Sequence, residues 1–167
     1  MNVNKLTMKA QEAMAETQTI VTDRQQQELA PEHLLLALLN QKDGVVAAIA
    51  DKLQVAAGLR DGVEQAIGKR PQVSGGTPYL SPALEKVFSS AEKEAKKLKD
   101  DFVSTEHLLL GIIDEGTSAA AVVLKTHQVT KDKVMQALVG IRGSQRITDQ
   151  NPEDKYQALQ KYGRDLT

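Results

Sequence analysis

Two Glu-His pairs are the residues of this chain that first invite a chemical role. Glu32-His33 and Glu106-His107 each place a carboxylate beside an imidazole, a combination used in proton transfer and in metal binding. Each pair opens the same pentapeptide, Glu32-His33-Leu34-Leu35-Leu36 and Glu106-His107-Leu108-Leu109-Leu110. The metal reading fails on ligand supply. Zinc takes three or four protein ligands, yet there is no His-Glu-x-x-His, no cysteine, and one further histidine, His127. A neutral, hydrogen-bonded histidine near a helix start is the expected role of His33 and His107. A hydrolase using either one is kept as an alternative. Glu32 and Glu106 suit the second position of a helix, where a carboxylate meets the positive end of the dipole. The same two side chains could instead bind a ligand, and both readings stand.

The step from residue 32 to residue 106 is 74 residues, and the flanks repeat at that step. Ala10, Ala13, Met14, Thr17 and Val21 fall on Leu84, Val87, Phe88, Ala91 and Ala95, and Ala47, Gln54 and Val55 on Ala121, Gln128 and Val129. A one-residue slip then brings Leu59 and Val63 onto Val134 and Leu138. Small and apolar positions map onto small and apolar positions, the mark of a tandem duplication of about seventy residues.

The elements that must carry these residues are helices. Leu6, Ala10, Ala13, Met14, Thr17 and Val21 form one apolar stripe at three- and four-residue steps, so a helix is expected from Thr7, its N-cap, to about Arg24. Pro31 suits the first turn of the next helix, and Leu34, Leu35, Leu38 and Leu39 give it a buried face. Asp43-Gly44 breaks the pattern, Val45 to Leu53 makes a third helix, Gln54 to Gly58 reads as a connection, and a fourth helix ends at Gly68. Pro71, Gly75-Gly76 and Pro78 mark a linker over 69–80. The second repeat follows the same course, with Ser81, Ser104 and Thr130 as expected caps and Asp100-Asp101 as a solvated loop. The fold class is all-α, two pseudo-twofold-related four-helix repeats without a convincing strand, plus a C-terminal linker helix. The divisions are 1–68 and 81–143 for the repeats. Residues from Arg142 to Gln150 read as an exposed linker, and a helix starting at Asn151-Pro152 reads as the loosely held beginning of a further unit.

Composition narrows the function. The chain has 167 residues, a net charge of −1 and no cysteine. Nothing in this balance points to nucleic acid or an anionic membrane, and the polar N-terminus reads as lacking a signal peptide. There is no Gly-x4-Gly-Lys-Ser/Thr for a nucleotide and no Gly-x-Ser-x-Gly elbow. Pseudo-symmetric repeats meet in a cleft, which favours a ligand-binding module over an enzyme.

Thr7…Ala10-Gln11-Glu12-Ala13, Pro31-Glu32-His33-Leu34-Leu35 and Ser104-Thr105-Glu106-His107-Leu108-Leu109 resemble the double Clp N-domain of the ring-forming AAA+ unfoldases. Pro71-Gln72-Val73, the run from Arg142 to Asp149 and the run from Tyr156 to Thr167 resemble the protein-disaggregating branch of that family. The resemblance implies an N-terminal piece of a cytoplasmic chaperone, with residues 144–167 leading into the first ATPase domain. It implies that ATP and magnesium act in the absent ATPase modules and that this piece needs no cofactor. The implied partners are unfolded or aggregated polypeptide, the ATPase domains of the same chain, a homohexamer and a cooperating DnaK-type chaperone. A groove between the repeats takes apolar segments in the family. Its substrate-linked polar positions fall on Thr7, Asp100 and Glu106, expected at one mouth of the cleft. His107 stands where some members have an apolar residue. Glu32 and Glu106 match in type the glutamates that bind phosphorylated arginine in a related branch, although Ala30-Pro31 replaces the Gly-Thr found there. Docking of an adaptor protein is the main alternative use of such a domain.

Overall fold

A computed structural model describes residues 3–143 together with Gln150 and Pro152. Eight α-helices are present among them: α1 (Met8–Asp23), α2 (Pro31–Asn40), α3 (Val45–Lys52), α4 (Ala56–Gly68), α5 (Pro82–Lys97), α6 (Thr105–Glu115), α7 (Ala119–Thr126) and α8 (Lys131–Arg142). The first four and the last four form the two repeats. The cap chemistry repeats with them. Thr7 Oγ1 accepts from the Ala10 amide at 3.2 Å, and its mate 74 residues on, Ser81, accepts from Leu84 at 3.0 Å. Thr130 caps α8 in the same way.

Chain reversals recur too. Gln25 and Lys99 have φ of 55° and 59°, and Gln54 and Gln128 have 61° and 60°. Left-handed backbone at non-glycine residues is uncommon, so finding it at matched positions shows that the duplication preserved geometry. The turn at Gln54 also corrects the fourth helix. Residues 56–58 are helical rather than a connection, because the reversal is complete by Val55. Gly58 sits inside α4 as a point of close approach: a Cβ there would lie 2.5 Å from His127 Nε2.

The halves interlock. α4 packs on α7 and, as its symmetric counterpart, α8 packs on α3, while α2 touches α7 and α3 touches α6. Leu34, Leu35, Leu38, Leu108, Leu109, Leu110, Ile112 and Leu124 lie in one core continuous across both repeats. Two minimal parallel pairings also cross between repeats, which the helical pattern gave no sign of. β1 (Glu28–Leu29) pairs with β2 (Tyr79–Leu80), and Leu6 bridges Val103. These are one feature used twice, since Leu6 and Leu80 are mates, as are Leu29 and Val103. The segment before the first helix of each repeat is bonded to the segment before the second helix of the other.

The closest helix packing is α5 on α6. A Cβ at Gly111 would stand 2.4 Å from the Val87 carbonyl oxygen and 3.2 Å from the Ala91 nitrogen. Alanine in a helix interior is normally better than glycine by about 1 kcal/mol. Here the sign should reverse. Gly111→Ala is expected to lower the unfolding free energy by about 1–3 kcal/mol through overpacking, measured by urea titration. A stabilised variant would mean that the two helices separate without cost.

Candidate functional site

Each Glu-His pair stands at the start of a core helix, α2 or α6, and all four residues of the two pairs are buried. His33 is the third residue of α2. Its Nδ1 accepts the backbone N–H of Ala30 at 3.0 Å, so Nε2 carries the hydrogen and donates to Gln26 Oε1 at 2.7 Å. His107 repeats the arrangement: Nδ1 accepts from the Ser104 N–H at 2.9 Å, and Nε2 donates to Asp100 Oδ2 at 2.8 Å. An orphan amide at each helix start is thereby satisfied by a ring three residues on. Burial lowers the pKa of His33 to about 4, helped by Arg70 and Arg24. Burial also lowers that of His107, against the opposing pull of Asp100. Both rings are neutral at pH 7 with both nitrogens engaged, which leaves neither a free lone pair for a hydrolytic role.

The third member of each network differs. In repeat 1 the Gln26 side-chain amide donates to the Ile67 carbonyl at 2.8 Å. In repeat 2 the matching acid, Asp100, accepts from the Arg142 guanidinium at 2.6 Å, and Arg142 is the mate of Ile67 at the slipped offset. Repeat 1 is thus neutral, and repeat 2 holds a buried ion pair. Two expectations are corrected by this. Arg142 is not the first residue of an exposed linker but the buried end of α8, and Asp100 is not a solvated loop residue. The remainder of the expected linker and tail lies outside the described residues, Gln150 and Pro152 apart. Ser104 stands at the N-cap of α6 as expected, though its hydroxyl lies 3.0 Å from His107 Nδ1 and makes no cap bond of the Thr7 kind.

Glu32 is the second residue of α2, as its spacing suggested. Its Oε2 accepts from Arg70 Nε at 2.9 Å, and Arg70 also reaches Glu28 at 3.1 Å. An arginine of the inter-repeat linker therefore occupies the glutamate. Glu106 holds the matching position in α6 and is buried.

The cleft between the repeats is a groove of about 480 Å³. Leu6 and Leu80, and Met14 and Phe88, line it as pseudo-twofold mates, so the symmetry axis runs through it. Gln11, Gln18, Leu29 and Pro78 complete most of its wall. Leu80 is 37% exposed, high for a large apolar side chain. Thr7, Asp100, Glu106, Glu32 and His107 are not among its lining residues. Thr7, Asp100 and Glu106 lie beneath the surface rather than at a mouth. Thr7 donates its N–H to the Val103 carbonyl at 2.9 Å, which ties the strand crossing beside the groove. Sequence reasoning placed Met14 and Leu6 in a core stripe. Their larger or equal mates, Phe88 and Leu80, were the available sign that both sit near the axis.

The family model described as the Clp repeat (R) N-terminal domain matches residues 5–127. The chain belongs to the Clp N-domain family. The ClpB chaperone protein of Bacillus cereus is 42% identical over 172 residues, covering 99% of this chain and 20% of that protein. ClpB of Bdellovibrio bacteriovorus is 41% identical, covering 97% and 19%. The chain thus spans about a fifth of the length of these curated relatives. The crystal structure of the Hsp104 N-terminal domain from Candida albicans superposes with a TM-score of 0.77 at 18% identity, covering 89% of this chain and 99% of that one. That likeness confirms the fold. Among the described residues no single helix is long and apolar enough to cross a membrane.

Proposed function

We propose that this Clp N-domain is the substrate-recognition module of an ATP-dependent protein disaggregase acting in the cytoplasm. It takes unfolded or aggregated polypeptide into the groove on its pseudo-twofold axis. The observation that carries this reading is the groove itself: an open, mostly apolar groove of about 480 Å³ with Leu80 left 37% exposed on its wall. Nucleotide and magnesium chemistry, ring assembly and cooperation with a DnaK-type chaperone belong, in this reading, to the part of the protein beyond this chain. The 42% identity to ClpB of Bacillus cereus supports it. Thr7, Asp100, Glu32 and His107 hold the walls through the bonds described above, and Glu106 occupies in α6 the position that Glu32 occupies in α2.

Apolar burial is worth about 25 cal/mol per Å², and ordering a flexible chain consumes much of it. Binding is therefore weak, as suits a module that must pass its substrate on. Met14→Gln with Leu80→Gln should weaken binding of reduced, carboxymethylated α-lactalbumin roughly tenfold or more, with the melting temperature nearly unchanged. Unaltered affinity would exclude the groove. No binding by the parent chain, beside tight binding of a folded adaptor, would favour a docking platform instead.

A further inference from the structure

The two walls of the groove differ in their backbone, and the difference carries a statement about what shape of substrate enters. In the β1–β2 pairing the Tyr79 N–H donates to Gln27 and the Ser81 N–H donates to the Leu29 carbonyl. Parallel pairing alternates, so residues 79 and 81 bond toward β1 while Leu80 turns both its N–H and its C=O to the other side. Among the described residues neither group has a hydrogen-bond partner. The opposite wall has the same construction but a different outcome at its carbonyl. Thr7 donates to the Val103 carbonyl and Val103 donates to Lys5, which turns Leu6 outward. The Leu6 carbonyl, however, accepts from the Gln11 side-chain amide at 3.1 Å and from the Gln150 amide at 3.4 Å.

Sequence explains why only one of the two carbonyls is satisfied. The mate of Gln11 is Glu85. A carboxylate is an acceptor only and cannot donate to a carbonyl, so Glu85 cannot do for the Leu80 carbonyl what Gln11 does for that of Leu6. Gln11 lines the groove, as do Leu6 and Leu80. The residues that carry the two edges therefore line the same groove.

We infer that the groove binds its substrate in extended form, as a short strand added to the open Leu80 edge of β2, with apolar side chains against Met14 and Phe88. This rests on the groove reading above. An exposed strand edge supplies sequence-independent affinity through main-chain bonds, while flanking pockets select side chains. A helical segment has its backbone groups already paired and gains nothing from this edge. Pro78, which has no N–H, and the two-residue length of β2 confine pairing to a single register point, a protection against uncontrolled edge association.

The test uses the 167-residue chain and an octapeptide of alternating valine and threonine flanked by lysines. Its analogues carry one backbone N-methyl group each, and a side-chain-locked helical peptide of the same composition serves as comparison. N-methylation at the pairing positions is expected to weaken binding about 3- to 10-fold, the worth of one hydrogen bond; the alternate positions should tolerate it. Leu80→Pro removes the outward N–H without touching the β1 bonds, a substitution edge strands accept. It should bind the parent peptide about 3- to 10-fold more weakly than Leu80→Ala, which keeps the N–H. Equal binding of all N-methyl analogues, or of the locked helix, would overturn the strand mode; if Met14→Gln with Leu80→Gln then still weakened binding at an unchanged melting temperature, the groove itself would stand. Failure of the parent chain to bind either an extended or a helical peptide would overturn the groove reading and this inference together.

Discussion

Arg142→Ala is expected to destabilise the chain by about 3–5 kcal/mol, because it removes the cation from a fully buried carboxylate. The Asp100 side chain is 0% exposed and the Arg142 side chain 7%. With water excluded, no solvent replaces the lost charge. The internal duplication supplies the compensating change. Repeat 1 builds the same junction from Gln26 and the Ile67 carbonyl, without any charge. Asp100→Gln combined with Arg142→Ile transplants that arrangement. An ion pair exchanged for well-packed neutral groups is commonly neutral or stabilising. The double variant should therefore recover most of the loss and unfold within about 1–2 kcal/mol of the parent. Urea unfolding of the single and double variants measures both quantities. A cost below about 1 kcal/mol for Arg142→Ala would show that the pair adds nothing. A double variant as unstable as the single one would show that the two junctions are not interchangeable.

Acidification from pH 7.5 to pH 5.0 should cost the fold about 2 kcal/mol through His33 alone. The sign follows from the lowered pKa. A histidine buried neutral binds fewer protons folded than unfolded, so its contribution is complete above pH 6.5. It is lost as pH falls toward about 4, the folded-state value for His33. His107 shifts in the same direction because of its burial and adds to the loss. The window is informative because carboxylates titrate mostly below it. Glu64, held low by its bond to Arg24, loses its contribution only at more acid pH. Stability measured at half-unit steps should slope downward through pH 6.5 to 5.0. The imidazole proton resonances of His33 and His107 should not move over that range while the chain stays folded. A midpoint near 6.5 for either ring would contradict the buried, neutral state.

The amino-acid sequence by itself determined the duplication, the eight helices and most of their ends. Apolar residues at three- and four-residue steps, Pro31 and Pro82 in first turns, and Thr7, Ser81 and Thr130 as caps act within a few residues of themselves. Local chemistry of that kind is readable without a fold. The neutral state of His33 and His107 was legible for the same reason, since each ring bonds an amide three residues away. What the tertiary structure alone decided is every contact between residues far apart in the chain. Arg142 and Asp100 are 42 residues apart, as are Arg70 and Glu28, and no local pattern distinguishes a buried arginine at a helix end from one in an exposed linker. Gly58 read as the end of a connection, and nothing local marked Gly111. They are instead places where a neighbouring helix leaves no room for a Cβ, which only the packed neighbour can reveal. The groove has the same origin. Leu6, Met14, Leu80 and Phe88 are each ordinary apolar residues of their own segments, and they become one surface only where the two repeats meet.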